Sequence, residues 1–306
     1  AMITKTDPDG ETLGPMQYNA VGQLIAIPGV LTDAQYDASG RITQRTLANG
    51  VVTNDTYDPA SGLLTRIRTV SGATVLQDLQ YTHDADELVT QITSPFAGEG
   101  WTYTYDQRHQ LTAATNATSS SHNQTWTYDQ TGNLTHNSRV GASRYPASGA
   151  GSVRPHAVQT AGAKTYTYDS VGRMISGGGR TISWNAFSKP SQIDGVSFTY
   201  DGGGQRVKKT SASGTTLYVT NDYEINDGAV TKYVRLGEQP IAKKTGSTQY
   251  WLHGDHLQSI NVITNAAGAE VKRVTYRPFG EQLSESGSHT ESRSFTRERR
   301  DAETGL

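Results

Sequence analysis

Apolar and polar residues alternate with a period of two along much of the chain. In Trp101-Thr-Tyr103-Thr-Tyr105 the rings fall on one side and the threonines on the other. Trp126-Thr-Tyr128, Tyr166-Thr-Tyr168 and Phe198-Thr-Tyr200 repeat this over shorter runs. Alternation rich in aromatic and β-branched residues predicts half-buried strands. The runs close alike: an aromatic, a short polar stretch usually containing glycine, then an aliphatic residue. Tyr18-Asn-Ala-Val-Gly22-Gln-Leu24, Tyr36-Asp-Ala-Ser-Gly40-Arg-Ile42 and Tyr57-Asp-Pro-Ala-Ser-Gly62-Leu63 open the series. Tyr81-Thr-His-Asp84-Ala-Asp-Glu-Leu88 is a degenerate copy, and Tyr105-Asp-Gln-Arg-His109-Gln-Leu111 has histidine in the glycine position. Tyr128-Asp-Gln-Thr-Gly132, Tyr168-Asp-Ser-Val-Gly172 and Tyr200-Asp-Gly-Gly-Gly204 continue it, with Trp184-Asn-Ala-Phe-Ser-Lys-Pro as a drifted copy.

Successive spacings from Tyr18 to Tyr128 are 18, 21, 24, 24 and 23 residues. A period near 22 fits two strands of roughly eight residues plus two turns. The Asp carboxylate can accept backbone N–H groups two residues on, and Gly supplies a positive φ, so Asp-x-x-Gly is a turn. A lone hairpin is marginal, so the copies must pair edge to edge. The expected fold is all-β: repeated antiparallel hairpins in a long curved or spiralling sheet. Residues 73–94 lack Gly and Pro, and Leu88, Val89 and Ile92 have helical spacing, but the flanking repeats favour strands there too. The 40 residues from Tyr128 to Tyr168 hold an irregular stretch, residues 145–156, expected to be an exposed loop.

Composition narrows the function. With 27 Lys+Arg against 29 Asp+Glu and a net charge of -2, nothing attracts nucleic acid or an anionic membrane surface. No cysteine is present, which removes disulfides, thiolate metal sites and a cysteine nucleophile. No apolar run approaches the roughly 20 residues of a membrane-spanning helix. Ala1-Met2 reads as a remnant of cloning, and the natural protein is expected to extend upstream.

Tyr-Asp-x-x-Gly-Arg at this period resembles the YD repeat of the Rhs family. The second half adds Tyr250-Trp-Leu-His253-Gly-Asp255-His256-Leu-Gln258-Ser259, then Val262-Ile-Thr-Asn-Ala-Ala-Gly268 and Tyr276-Arg-Pro-Phe-Gly280, in the family's order. Arg299-Arg-Asp301-Ala-Glu303-Thr304-Gly305-Leu306 resembles the opening of the Rhs-associated core. The resemblance implies a YD-repeat array over residues 3–282 and the beginning of that core, cut short, over residues 283–306. It also implies a shell: a sheet ribbon wound into a hollow cocoon, which in toxin members holds a variable C-terminal toxin freed by an aspartyl autoprotease region expected beyond Leu306. Secretion or display at the cell surface, through a bacterial secretion system or toxin complex, goes with that resemblance.

Candidate chemistry is sparse. His253, Asp255 and His256 are the most metal-like group. On a strand, 253 and 255 would share a face while 256 points away, and further ligands would have to come from elsewhere. A turn in which His and Asp bond backbone groups is the preferred reading. Asp37, Asp58, Asp106, Asp129, Asp169 and Asp201 recur at one place in each hairpin, which marks turn formers; paired acid and base roles need carboxyls in different environments. Ser176-Gly-Gly-Gly-Arg180 and Gly202-Gly-Gly204 lack the Lys-Ser/Thr of a phosphate loop, and no Gly-x-Ser-x-Gly elbow is present. Sugar stacking on the aromatics competes with packing, and 16 Tyr and 4 Trp in register favour packing. The stretch His289–Asp301 mixes Arg293, Arg297, Arg299 and Arg300 with Glu291 and Glu298, as a solvated or interface segment would.

No catalytic, cofactor-binding or metal-ligating residue is assigned, and no cofactor is expected. The expected function is a non-enzymatic shell module enclosing or presenting a C-terminal toxin polypeptide, with that segment and a second shell-forming chain as partners. The alternative is an adhesion module for a carbohydrate or surface receptor. An exposed sheet edge further predicts self-association.

Overall fold

The computed structural model describes residues 3–305; Ala1-Met2, expected above to be a remnant, and Leu306 lie outside the described residues. The chain is almost wholly β. Among the described residues there is no α-helix, only short 3₁₀ turns at Ser120–His122 and Phe295–Arg297. Strands Thr74–His83 and Val89–Thr93 occupy the stretch where helical spacing competed. Antiparallel hairpins are the rule, each strand paired with its neighbour in sequence, as for Val51–Tyr57 with Leu64–Ser71 and Gly141–Arg144 with Thr160–Ala161. Among the described residues two compact units form: residues 3–102, 116–120 and 219–300 in the first; 103–115, 121–218 and 301–305 in the second.

In the second unit the alternation seen in sequence becomes one-sided burial. Val196 and Phe198 are buried while Ser197 and Thr199 are exposed. Ile182, Ile193, Val196 and Phe198 make the core, with Met174, Trp184 and Tyr200 packed on it. Threonines pair on the outer face, as Thr127 Oγ1 does with Thr135 Oγ1 at 2.9 Å.

The first unit folds hairpins from opposite parts of the chain onto one another. Val30, Leu31, Leu47 and Val51 share a core with Leu236, Ile241, Trp251 and Val262. The Trp251 indole donates to Val30 O at 2.9 Å, and the Asn49 amide donates to Thr264 Oγ1 and Asn265 O, both at 2.9 Å. A second cluster holds Tyr233, Leu252, Ile260 and Ile263, and a register shift where His253 meets Val262 and Gly254 meets Ile260 breaks the alternation, so that Ile260 joins Ile263 and not Val262. Strand Ile260–Thr264 is buried at every position. Register sets Ala242, Trp251 and Thr264 in one row, and Leu252, Ile263 and Lys272 in the next.

Candidate functional site

Each letter of the repeat has a physical task. Asp37 Oδ1 accepts the amides of Ser39 and Arg41, both at 2.9 Å, and Asp106, Asp169 and Asp201 bond the amides two and four residues on in the same way. These bonds stabilise the carboxylate: the Arg41 amide leads in holding Asp37 below its usual range, and the Thr131 hydroxyl, with Asn133, takes Asp129 down to about 2. Asn19, Asn185 and Asn265 cap their turns in the same way.

The aromatic anchors bind each hairpin to the one before it. Tyr36 donates its hydroxyl to Leu24 O, Tyr57 to Ile42 O, Tyr128 to Leu111 O and Tyr200 to Pro190 O. Trp184 fills the same role with its indole, to Met174 O at 2.8 Å. The arginine of Gly-Arg reaches forward. Arg41 pairs with its own Asp37 and donates to Gly62 O in the following turn, and Arg173 pairs with Asp169 and donates to Asn185 O. Tyrosine thus holds the preceding hairpin and arginine the next.

Two anchors were not read as copies of the repeat, Tyr276 having been noted in the sequence only within the family-like tail. Tyr145, at the head of the irregular stretch, donates to Leu134 O, and Tyr276 to Ile260 O. The long spacing therefore hides a repeat whose Asx turn is replaced by a loop. The pattern Asn265-Ala-Ala-Gly268 was the available signal that the repeat continues through the tail.

His253, Asp255 and His256 separate into three roles. The strand Thr248–Gly254 ends before Asp255, so 253 and 255 do not share a strand face as that arrangement would require. His253 Nε2 lies 2.9 Å from Thr264 Oγ1, and burial, with Arg45 adding to it, pushes its pKa to about 3. Asp255 Oδ1 caps its turn through the Leu257 and Ser259 amides, and burial raises the carboxyl to about 6. His256 packs on the Tyr81 ring at 4.7 Å and is pushed to about 4 by burial. Among the described residues no three His, Cys, Asp or Glu side chains form a metal-holding group.

The densest polar site lies where residues 288–300 cross the face carrying Tyr233, Lys243 and Lys272. Lys272 Nζ donates to His289 O at 2.9 Å, Lys243 Nζ to Thr290 O at 2.8 Å, and Tyr233 OH to Glu291 Oε1 at 2.7 Å. The Ile260 amide donates to Ser294 O, and the Thr296 amide to Ser259 Oγ. Phe295 packs beside Tyr276 with ring centroids 5.7 Å apart. Arg293 lies 4.3 Å over the Tyr233 ring, and Arg299 Nε bonds Glu224 Oε1 at 2.6 Å. The mixed charge of this stretch is thus an interface within the chain. In the second unit, Asp301 pairs with Arg206 and Lys209, Glu303 with Lys209, and Arg180 Nε donates to Thr304 O. The buried lysines could not be singled out in the sequence, where they read as ordinary polar strand positions.

A sheet of tyrosine-anchored, Asx-capped hairpins with a strap of chain laid on one face is the architecture of a YD-repeat shell protein. The family model described as Teneurin YD-shell matches residues 56–292 and the one described as RHS Repeat matches residues 36–74, and the chain belongs to the YD-shell family. Toxin subunit YenC1 of Yersinia entomophaga is 32% identical over an alignment covering 36% of this chain and 15% of that protein. The crystal structure of TcdB2-TccC3 superposes with a TM-score of 0.79 at 21% identity, covering 99% of this chain and 19% of that one. A Photorhabdus luminescens Tc holotoxin pore carrying a mutant TccC3 gives 0.77 at 19% identity, over 100% of this chain and 18% of that one. The chain therefore spans less than a fifth of the length of these proteins.

Proposed function

We propose that this chain is a stretch of wall in a secreted toxin-type shell and that the shell encloses a polypeptide carried by the same protein. The observation that supports this best is the strap. Residues 288–300 are held on the sheet face largely through their backbone, so the chain is led along the wall instead of out into solvent. One of the solved TcdB2-TccC3 structures, alike in fold at TM-score 0.73 and 18% identity, is described as lacking a hypervariable C-terminal region. A variable segment following a fixed wall is what enclosure needs. We assign the wall no catalytic step, and place any autoproteolytic cut outside residues 3–305.

The test is intact mass spectrometry of the natural-length protein before and after limited proteolysis. Enclosure predicts a C-terminal piece that co-purifies with the wall and resists protease. A C-terminal region digested as fast as an unfolded peptide would overturn it. Adhesion is a second reading with one observation behind it. Phe187 is 84% exposed and, with Tyr200 and Gly202–Gly204, lines a cleft of about 550 Å³. Saturable glycan binding lost in Phe187→Ala would promote that reading, and an empty glycan array would remove it.

A further inference from the structure

We propose that residues 288–300 are an acid-released strap, with His289 as the group that senses the proton. The proposal goes beyond containment, since it concerns how the strap is held whatever follows it. The His289 ring stacks on Tyr250 with centroids 4.0 Å apart, and its Nε2 is buried with no hydrogen-bond partner. A proton there would make an N–H with no acceptor. It would also add a cation where two are already fixed. Lys272 holds the backbone carbonyl of His289 itself, and Lys243 holds that of Thr290.

The charged and titratable groups of this face come from the strands on either side of Ile260–Thr264, which itself carries none. Tyr233 and Lys243 lie on consecutive strands, Tyr250 on the next, and Lys272 and Glu285 on the last two before the strap. Lys272 is neutralised by Glu285 Oε1, and Lys243 by Glu291 Oε2 at 3.3 Å. The Glu291 side chain is only 2% exposed. Glu285 is committed to Lys272, whereas Glu291 engages Tyr233 and the Arg293 amide through Oε1, and its buried Oε2 makes no hydrogen bond and partly offsets the lysines at the imidazole.

Burial first and Lys243 second, with Glu291 opposing and Lys272 adding a smaller push, hold docked His289 at about 4, against 6.5 when free. A depressed histidine contributes docking stability that is complete above pH 6.5 and is lost as pH falls through 6.5 towards 4. Asp255 works in the opposite sense. Its raised pKa, about 6 against 3.8, favours the packed state at low pH and loses that contribution as pH rises through 6. Asp255 caps the turn ending at Ser259, whose hydroxyl receives the Thr296 amide, so it has to be separated from His289 by mutation.

Hydrogen–deuterium exchange of the Arg293, Ser294, Thr296 and Arg300 amides, corrected for intrinsic rate, reads strap opening between pH 7.5 and 5. From the two histidine pKa values alone, opening should rise about tenfold by pH 5.5 and about twenty-five-fold by pH 5 in the Asp255→Asn protein, and in the same direction but by less where Asp255 opposes it. His289→Gln should flatten the rise to within about twofold, and His289→Phe, which keeps the ring stack, should do the same. Asp255→Asn should leave the rise intact or steepen it. The proposal falls if the unmodified strap exchanges independently of pH, or if the histidine variants keep its pH dependence. It falls equally if the amides of Val262–Thr264 open in step with the strap, because that is unfolding of the whole unit; the Ile260 amide, which donates to Ser294 O, is expected to open with the strap.

Discussion

Strands Val196–Tyr200 and Ile260–Thr264 are closed by the same kind of Asx turn, yet one alternates buried and exposed while the other is buried throughout. Antiparallel sheets commonly leave one face to water. The first strand does so, its threonine and serine outward. The second is covered on one face by hairpins some 215 residues away in sequence, as the Asn49–Thr264 bond records, and on the other by the strap. The turn unit builds a sheet in either setting; what differs is what lies on its second face. Burial on both faces also explains how lysines come to rest inside. Lys243 and Lys272 are 8% and 7% exposed, each matched by a carboxylate and a strap carbonyl.

The largest expected effect tests that comparison directly. Trp251 is 5% exposed and its indole bonds a carbonyl from the opposed hairpins. Trp251→Ala should cost about 3–5 kcal/mol. Trp184 is partly buried and bonds only its neighbouring hairpin, so Trp184→Ala should cost about 1–2 kcal/mol. Urea unfolding of the two variants measures both, and equal losses would mean that double coverage adds nothing to the tryptophan's contribution.

The same contrast explains what was legible in the sequence. Alternation, Asx capping and positive-φ glycine are local, so the strands, the turns and the repeat were readable from residues a few positions apart. Asp37 and Asp169 were identified as turn formers on that ground, and Trp184 as a drifted anchor; both hold. Coverage is not local. Nothing near Lys272 announces that His289 O and Glu285 will meet its ammonium, and nothing near Asn49 announces Thr264. The strap was visible only as a run of mixed charge. Tyr145 and Tyr276 were missed for a third reason: the residue after the anchor is Pro146 or Arg277 where the repeat has Asp or Asn, although the hydroxyl bond is unchanged.

A pair of glycines sharpens the role of the strap. Gly280 has φ +86°, and a Cβ built there would collide with the Phe295 ring at Cδ1. Gly172 has φ +91° but meets nothing closer than Arg154 Cδ at 3.7 Å. Alanine in a left-handed conformation costs about 1–2 kcal/mol wherever it is placed. Gly172→Ala should lose that amount alone. Gly280→Ala should lose more and should also displace Phe295, raising strap exchange while leaving the amides of Val262–Thr264 protected. Equal losses from the two, with strap exchange unchanged, would show that Phe295 yields its place without cost.

The smallest effect concerns turns that lack the glycine. His109 and Gln258 occupy the glycine position of their turns with φ of 59° and 65°, a region that strains any side chain. Glycine relieves that strain but gains more freedom in the unfolded chain, so the net benefit is about 0.5–1 kcal/mol. The two sites differ in what the side chain does. Gln258 Oε1 is buried with no hydrogen-bond partner, so Gln258→Gly removes an unsatisfied acceptor as well as the backbone strain. His109 stands on an exposed turn. Gln258→Gly should therefore raise the urea midpoint more than His109→Gly does. A midpoint lowered by Gln258→Gly would mean that this glutamine contributes packing to the doubly covered sheet, in which case the turn beside it is tuned to the cover and not to the repeat.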